Sequence, residues 1–115
     1  MTAQEMPIFT RSFDLIVWLL TVTNHFPRTQ RHGFVRRLHD AAFDMREFLE
    51  EANCRRGEAR RERLARADEA LARVRLYVRL ANRLGWLSVT QYGHVAEILA
   101  EIGRLLGGWQ KASHG

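Results

Sequence analysis

The chain has 115 residues, of which 46% are hydrophobic and 27% charged, and its formal net charge is +5. This composition is typical of a folded domain and excludes a disordered chain. The single cysteine, Cys54, excludes an internal disulfide and a zinc site built from cysteines. We expect Cys54 to be a half-buried structural thiol.

Neither a leader nor a membrane span is predicted. The segment from Met1 to Pro7 contains Glu5 and no basic cluster, so we expect no secretory signal. The longest apolar run, Leu15 to Leu20, is far shorter than the roughly 20 residues that span a membrane. These features predict a cytoplasmic protein.

The first predicted helix covers about residues 8–24 and is apolar on nearly every side. One apolar stripe repeats at three- and four-residue steps: Phe13, Ile16, Val17 and Leu20. The remaining faces carry Leu15, Trp18, Leu19 and Val22. Such a helix must be covered on two sides, by its own bundle and by a partner. We therefore expect an oligomer interface at Leu15, Trp18 and Val22.

Two further helices are predicted over residues 29–55 and 58–84, and each has an apolar seam with alternating steps of three and four residues. The seam of the earlier helix is Phe34, Leu38, Ala41, Met45, Phe48 and Ala52. The seam of the later helix is Leu64, Ala67, Leu71, Val74, Val78 and Ala81. Gly57 is expected to end the helix over residues 29–55. Gly85 is expected to end the helix over residues 58–84 in a left-handed cap.

The fourth predicted helix covers about residues 89–108. It opens with a capping box in which Ser88 caps the helix and Gln91 reaches back. Its seam is Tyr92, Val95, Leu99, Ile102, Leu106 and Trp109. Gly107 and Gly108 should end it or weaken its last turn, and the Gly103–Gly107 pair should permit a close helix contact.

These elements predict an all-α protein in which residues 1–115 form one domain. No strand pattern is present, and the helices are joined by short connections, which make consecutive helices antiparallel neighbours. The predicted architecture is an up-down-up-down four-helix bundle.

The charges are segregated along the chain. Folding the second and third helices as a hairpin brings an acidic block (Asp40, Asp44, Glu47, Glu50 and Glu51) beside an arginine-rich one. We therefore expect Arg60, Arg63 and Arg66 to form ion pairs within the protein or between subunits.

The opposite end of the hairpin collects arginines without nearby acidic residues. The cluster consists of Arg28, Arg31, Arg36, Arg37, Arg75, Arg79 and Arg83. Guanidinium groups pair with phosphates, so the cluster favours polyanion binding over a merely solvated basic face. No base-reading motif is present, and binding should be largely independent of sequence. Arg79, in the middle of the row Arg75, Arg79 and Arg83, is the first candidate.

The sequence lacks the patterns expected of an enzyme. It contains no H-E-x-x-H motif, no glycine-rich phosphate loop and no Glu-x-x-His pair of the kind that facing helices use for di-iron. We predict no catalytic residue, no metal and no cofactor.

Three segments together resemble the accessory variability determinant (Avd) proteins of diversity-generating retroelements. They are Phe26-Pro-Arg-Thr-Gln-Arg31, Leu80-Ala-Asn-Arg-Leu-Gly-Trp-Leu-Ser88 and Glu101-Ile-Gly-Arg-Leu-Leu-Gly-Gly-Trp109. The wider family of four-helix bundles includes proteins encoded in 23S ribosomal RNA intervening sequences. Their Asn-Ile-Ala-Glu-Gly signature is replaced here by residues 44–53, and this favours the Avd branch.

The resemblance implies a non-catalytic partner of a reverse transcriptase. Avd proteins are barrel-shaped homopentamers that bind the reverse transcriptase and nucleic acid, and they support mutagenic cDNA synthesis and retrohoming. Two alternatives stay open: an intervening-sequence type of bundle, and a protein-interaction scaffold that has no reverse transcriptase partner.

Overall fold

A computed structural model describes residues 6–114 of the chain. The four helices are α1 (Pro7–Val22), α2 (Phe34–Asn53), α3 (Gly57–Arg83) and α4 (Val89–His114). Two single-turn 3-10 helices, Thr23–His25 and Arg28–Gln30, connect α1 to α2. Residues 6–114 contain no strand, so this part of the chain is all-α as predicted. Most of the segment analysed for a secretory signal, Met1 to Pro7, lies outside the described residues.

The helices are arranged as a four-helix bundle. The most extensive contact joins α2 to α3, and α3 also packs on α4, α4 on α1, and α1 on α2. The pairs α1–α3 and α2–α4 therefore lie on the diagonals. The short connections make each helix antiparallel to its neighbours in the chain, and the bundle measures 44 × 25 × 21 Å.

The buried side chains follow the predicted seams most closely in α3, where all six seam residues are buried. In α2 the seam is shifted slightly, because Phe34 and Phe48 are only half-buried and Val35, Ala42 and Leu49 join the core instead. The largest fully buried side chains come from all four helices, and they include Leu15, Met45, Leu71 and Ile102. The core is therefore shared by the whole bundle.

The predicted faces of α1 are interchanged. Leu15 and Val22 have exposed fractions of 0% and 6% and pack in the core of their own chain, whereas Phe13 and Val17 are 60% and 50% exposed. The assignment of Leu15 and Val22 to an oligomer interface is therefore wrong, because a neighbouring subunit could not reach them. Trp18 is half-buried and packs on His94 of α4, with ring centroids 5.8 Å apart.

Two helices begin or end away from the predicted positions. The predicted start near residue 29 is wrong because Gly33, with φ −109° and ψ −95°, separates the 3-10 turn from α2. The predicted end near residue 108 is also wrong, since α4 continues through Gly107 and Gly108 to His114. Its last turns are held by Trp109, which packs on Phe9 of α1.

The turn between α2 and α3 also differs in detail. α2 ends at Asn53, and Gly57, with a φ of +60°, is the first residue of α3. Cys54 lies in this turn and is exposed, so the expected half-buried thiol is wrong.

The turn between α3 and α4 matches its prediction. Gly85 has a φ of +77°, and the Trp86 amide donates to the Ala81 carbonyl at 2.9 Å, which gives the left-handed cap. The Ser88 amide donates to Oε1 of Gln91 at 2.9 Å, and the Gln91 amide donates to Oγ of Ser88 at 3.1 Å. This reciprocal pair is the predicted capping box and fixes where α4 begins.

Candidate nucleic-acid interface

An aromatic cluster organises the end of the bundle that carries the candidate arginines. The ring of Trp86 lies 5.5 Å from Phe26 and 5.2 Å from Phe34, and Phe34 also packs on Tyr77 at 5.7 Å. Phe26 and Trp86 belong to two of the sequence segments that carry the family resemblance. The fold therefore brings these segments together and rigidly positions the chain around Arg28 and Arg31.

Arg28 and Arg31 lie on the side of this end where α1 meets α2. They are exposed and line one concavity together with Asn24 and His39. The 3-10 turn Arg28–Gln30 precedes α2, and both arginines line the same hollow.

Arg36 and Arg37 are adjacent in the first turns of α2, but they point in different directions. Arg37 reaches towards α3, with its guanidinium carbon 6.0 Å from the centroid of the Tyr77 ring. Arg36 is exposed on the outer side of α2. Only Arg37 therefore approaches the helix that carries the remaining candidates.

Arg75 and Arg79 face away from α2. They line a groove between α3 and α4, which we call the α3–α4 groove, and its opposite wall includes Tyr92 and Ala96. Arg83 is exposed in the last turn of α3. At 1.5 Å per residue, the row from Arg75 to Arg83 extends about 12 Å along the helix.

The Arg75 guanidinium occupies the space beside Gly103 of α4, in the α3–α4 groove, because glycine has no side chain there. A Cβ atom at position 103 would collide with that guanidinium, whereas nothing lies close to the corresponding position at Gly107. The predicted close helix contact at this glycine pair is therefore wrong, because only the Arg75 side chain approaches Gly103 and nothing approaches Gly107.

Ion pairs to carboxylates involve Arg11, Arg46, Arg63, Arg66 and Arg73 of the described chain, and the other arginines of residues 6–114 have none. Within residues 6–114, none of the seven forms an ion pair with a carboxylate. By contrast, Arg63 pairs with Glu51 of α2 at 2.8 Å, and Arg66 pairs with Glu69 at 2.9 Å. Pairing with the acidic block of α2 is confirmed for Arg63, whereas Arg66 forms its ion pair within α3. Arg60 instead donates to the Ala52 carbonyl at 3.0 Å and lies over the Trp109 ring.

The seven arginines lie on three sides of the bundle, from the end with the α3–α4 turn to the level of Gly103, near the middle of α4. They do not form the single patch that the hairpin argument predicted, because α3 separates Arg37 from Arg75 and Arg79. We refer to the set as the arginine belt: Arg28, Arg31, Arg36, Arg37, Arg75, Arg79 and Arg83. A belt of like charges without carboxylate partners attracts polyanions and can contact an extended strand at several points.

Two features of this end could not be inferred from the sequence. The aromatic cluster was missed because its members are far apart in the chain and each fits a helical seam or a turn. The hydrogen bond between Thr23 and His39, at 2.9 Å, was missed for the same reason. The one signal that could have suggested the cluster is the presence of an aromatic residue on each helix of the predicted hairpin, Phe34 and Tyr77, at positions that the hairpin places opposite each other.

Within residues 6–114, no group of three or more His, Cys, Asp or Glu side chains is placed to hold a metal ion. The described helices also include none that is both long and apolar enough to cross a bilayer.

The comparisons with known proteins give one family and no close curated relative. The family model described as bAvd-like matches residues 6–113. No curated protein sequence matches the chain significantly. The family match extends over nearly the whole chain and includes all three segments that carry the resemblance. The chain therefore belongs to the bAvd-like family and is an Avd-type protein.

Proposed function

We propose that the protein is a non-catalytic accessory factor of a diversity-generating retroelement. In this role it assembles as a homopentameric ring and binds the reverse transcriptase together with RNA or DNA. The complex supports mutagenic cDNA synthesis and retrohoming. Membership of the bAvd-like family supports this role.

The observation that carries the nucleic-acid part is the clustering of seven arginines without carboxylate partners in the described part of the chain. Seven belt arginines have no carboxylate partner within residues 6–114, although Arg63 and Arg66, elsewhere on the same bundle, are neutralised. Repulsion among the belt residues disfavours the folded protein on its own, and bound phosphates would relieve it. No belt residue lies on an element shaped to read bases, so binding depends on the phosphate backbone.

Salt titration of RNA binding tests this function. The probe is a single-stranded RNA of arbitrary sequence, and the test variant is Arg75→Ala/Arg79→Ala, which removes two charges from the α3–α4 groove. The matched control is Arg63→Ala/Arg66→Ala, which removes the same charge from ion-paired positions. We expect only the test variant to bind RNA more weakly than the wild type. A plot of the logarithm of the binding constant against the logarithm of the salt concentration should also be less steep, by about 1.4 per chain for two lost phosphate contacts.

The outcome separates the proposal from the scaffold alternative. Equal weakening in both variants would mean that overall charge, and not the belt, drives binding. A wild-type protein that fails to bind RNA at low salt would favour a protein-interaction scaffold.

Binding to the reverse transcriptase needs its own experiment. The accessory protein is co-expressed with a tagged reverse transcriptase from a diversity-generating retroelement encoded beside its gene, and the complex is purified after nuclease treatment. Retention of both proteins supports a direct contact. Loss of the accessory protein on nuclease treatment would show that nucleic acid alone joins them, and the absence of such a gene would favour the intervening-sequence type.

A further inference from the structure

Large apolar side chains are exposed on two faces of the bundle. Eight such residues occur among residues 6–114, and all but Val89 fall into two groups. The first group, the α1–α2 face, comprises Phe13, Val17, Leu20 and Phe43. The second group, the leucine stripe, comprises Leu76, Leu80 and Leu84 of α3. This clustering is unlike the scattered apolar residues of an ordinary monomer surface.

Contacts between α1 and α2 make the first group continuous. The Arg46 guanidinium donates to the Phe9 carbonyl at 2.9 Å, and His39 is hydrogen-bonded to Thr23. Residues 39–46 of α2 therefore run antiparallel beside residues 9–23 of α1. Phe43 consequently lies level with the middle of α1 and extends the exposed stripe of that helix.

The two faces are of similar length and belong to helices that lie on a diagonal of the bundle. Phe13 to Leu20 spans about 11 Å of α1, and Leu76 to Leu84 spans about 12 Å of α3. α1 and α3 lie on a diagonal, and each has α2 and α4 as its neighbours. One molecule can therefore use both faces at once, each with a different neighbour.

The unpaired charges nearest the two faces have opposite signs. Phe43 is flanked on its own helix, three residues before and four residues after, by Asp40 and Glu47, which are exposed and form no ion pair within residues 6–114. Arg46, three residues after Phe43, is already paired with Glu50 at 2.8 Å. Leu80 is flanked by Arg83, three residues later on the same helix. Placing either face against its own copy would bring like charges together, whereas placing one against the other brings carboxylates to guanidinium groups.

We propose that the α1–α2 face of one copy of this chain docks on the leucine stripe of a second copy. The contact is heterologous, so repetition of one head-to-tail contact builds a closed ring when the rotation closes. This inference rests on the homo-oligomer in the proposed function and names the two faces that form it. Arg83 is the belt residue that borders this contact, whereas Arg75 and Arg79 line the α3–α4 groove and remain for the polyanion.

Two variants, one for each face, test the proposal. Phe13→Glu places a charge on the α1–α2 face, and Leu80→Glu places one on the leucine stripe. Both positions are exposed, so circular dichroism should show an intact helical fold. The matched control is Val89→Glu, at an exposed apolar residue outside both faces. Sedimentation velocity should show an oligomer for the wild type and the control, and a single chain of 13.4 kDa for each variant.

Mixing the two monomeric variants distinguishes a head-to-tail contact from a symmetric one. Each variant keeps one intact face, so a heterologous contact predicts a 1:1 dimer that cannot grow further. A mixture that stays monomeric would overturn the head-to-tail contact. A charge exchange adds a second measurement: Glu47→Arg and Arg83→Glu should each weaken association roughly tenfold or more, and the double variant should restore it.

The remaining outcomes separate this inference from the proposed function. A wild-type chain that sediments as a monomer would overturn both the homo-oligomer of the proposed function and the contact between the two faces. An oligomer that survives both Phe13→Glu and Leu80→Glu would overturn only the assignment of these faces, and would leave RNA binding by the belt untouched.

Discussion

Nε2 of His39 donates a hydrogen bond to Oγ1 of Thr23 over 2.9 Å and so joins α2 to the end of α1. The direction follows from the threonine, because its single hydroxyl proton is donated to the Leu19 carbonyl at 2.7 Å. Oγ1 can then only accept from the imidazole. The proton of the neutral ring is therefore held on Nε2 where α1 meets α2.

The environment of His39 predicts that acid destabilises the protein. Burial lowers the pKa of His39 below its usual value of 6.5, although attraction to Asp40 acts in the opposite direction. A lowered folded-state pKa means that the unfolded chain binds more protons as pH falls through about 6.5, so stability falls with pH there. We expect the midpoint of thermal unfolding to drop between about pH 7.5 and about pH 5.

Replacing the imidazole isolates its contribution to this pH dependence. His39→Gln keeps a donor near Thr23 and removes the titration, so its unfolding midpoint should change less with pH than that of the wild type. His32→Gln, at an exposed position, is the control. Equal pH profiles for wild type and His39→Gln would contradict the prediction.

The α3 seam predicts a large loss of stability when its central leucine is truncated. Leu71 is fully buried, so Leu71→Ala leaves a cavity that the surrounding helices fill only in part. We expect the free energy of unfolding in urea to fall by about 2–5 kcal/mol. Val89→Ala, at a residue 90% exposed, is the control and should change stability by less than about 0.5 kcal/mol.

The contact between Gly103 and Arg75 predicts opposite effects on stability and on RNA binding. In Gly103→Ala the new methyl group would collide with the Arg75 guanidinium, so the flexible end of the Arg75 side chain has to move away. Because alanine favours a helix more than glycine, we expect the free energy of unfolding to rise by about 0.5–1 kcal/mol. RNA binding should weaken, as Arg75 no longer lies in the α3–α4 groove.

A control position separates these two effects. Gly107→Ala, on the same helix and with open space at its Cβ position, should stabilise the protein by a similar amount and leave RNA binding unchanged. A fall in the free energy of unfolding for Gly103→Ala would contradict the prediction, because displacing the Arg75 side chain would then cost more than alanine contributes to the helix.

The capping box predicts a moderate effect at the start of α4. Ser88→Ala removes the hydroxyl that accepts from the Gln91 amide, and we expect a loss of about 1 kcal/mol in the free energy of unfolding. Thermal unfolding checks the size of the change. Ser88→Asp, which can also accept from that amide, should retain most of the stability, and a loss as large as that of Ser88→Ala would argue against capping.

The sequence by itself determined the elements and their arrangement. Apolar steps of three and four residues identified four helices, and a left-handed glycine with a capping box defined the turn between α3 and α4. These are local signals, since each depends on residues within one or two helical turns. The short connections then restricted the arrangement to antiparallel neighbours. Three short segments were enough to indicate the family.

Only the tertiary structure decided which apolar face of α1 is buried and how the arginines are distributed. α1 is apolar nearly all round, so periodicity could not distinguish the face of Leu15 and Val22 from that of Phe13 and Val17. Likewise, the charge pattern along the predicted hairpin indicated the end of the bundle near which the arginines gather, but not the side of α3 that carries Arg75. Both depend on the rotation of each helix about its axis, which is set by packing against the other three helices.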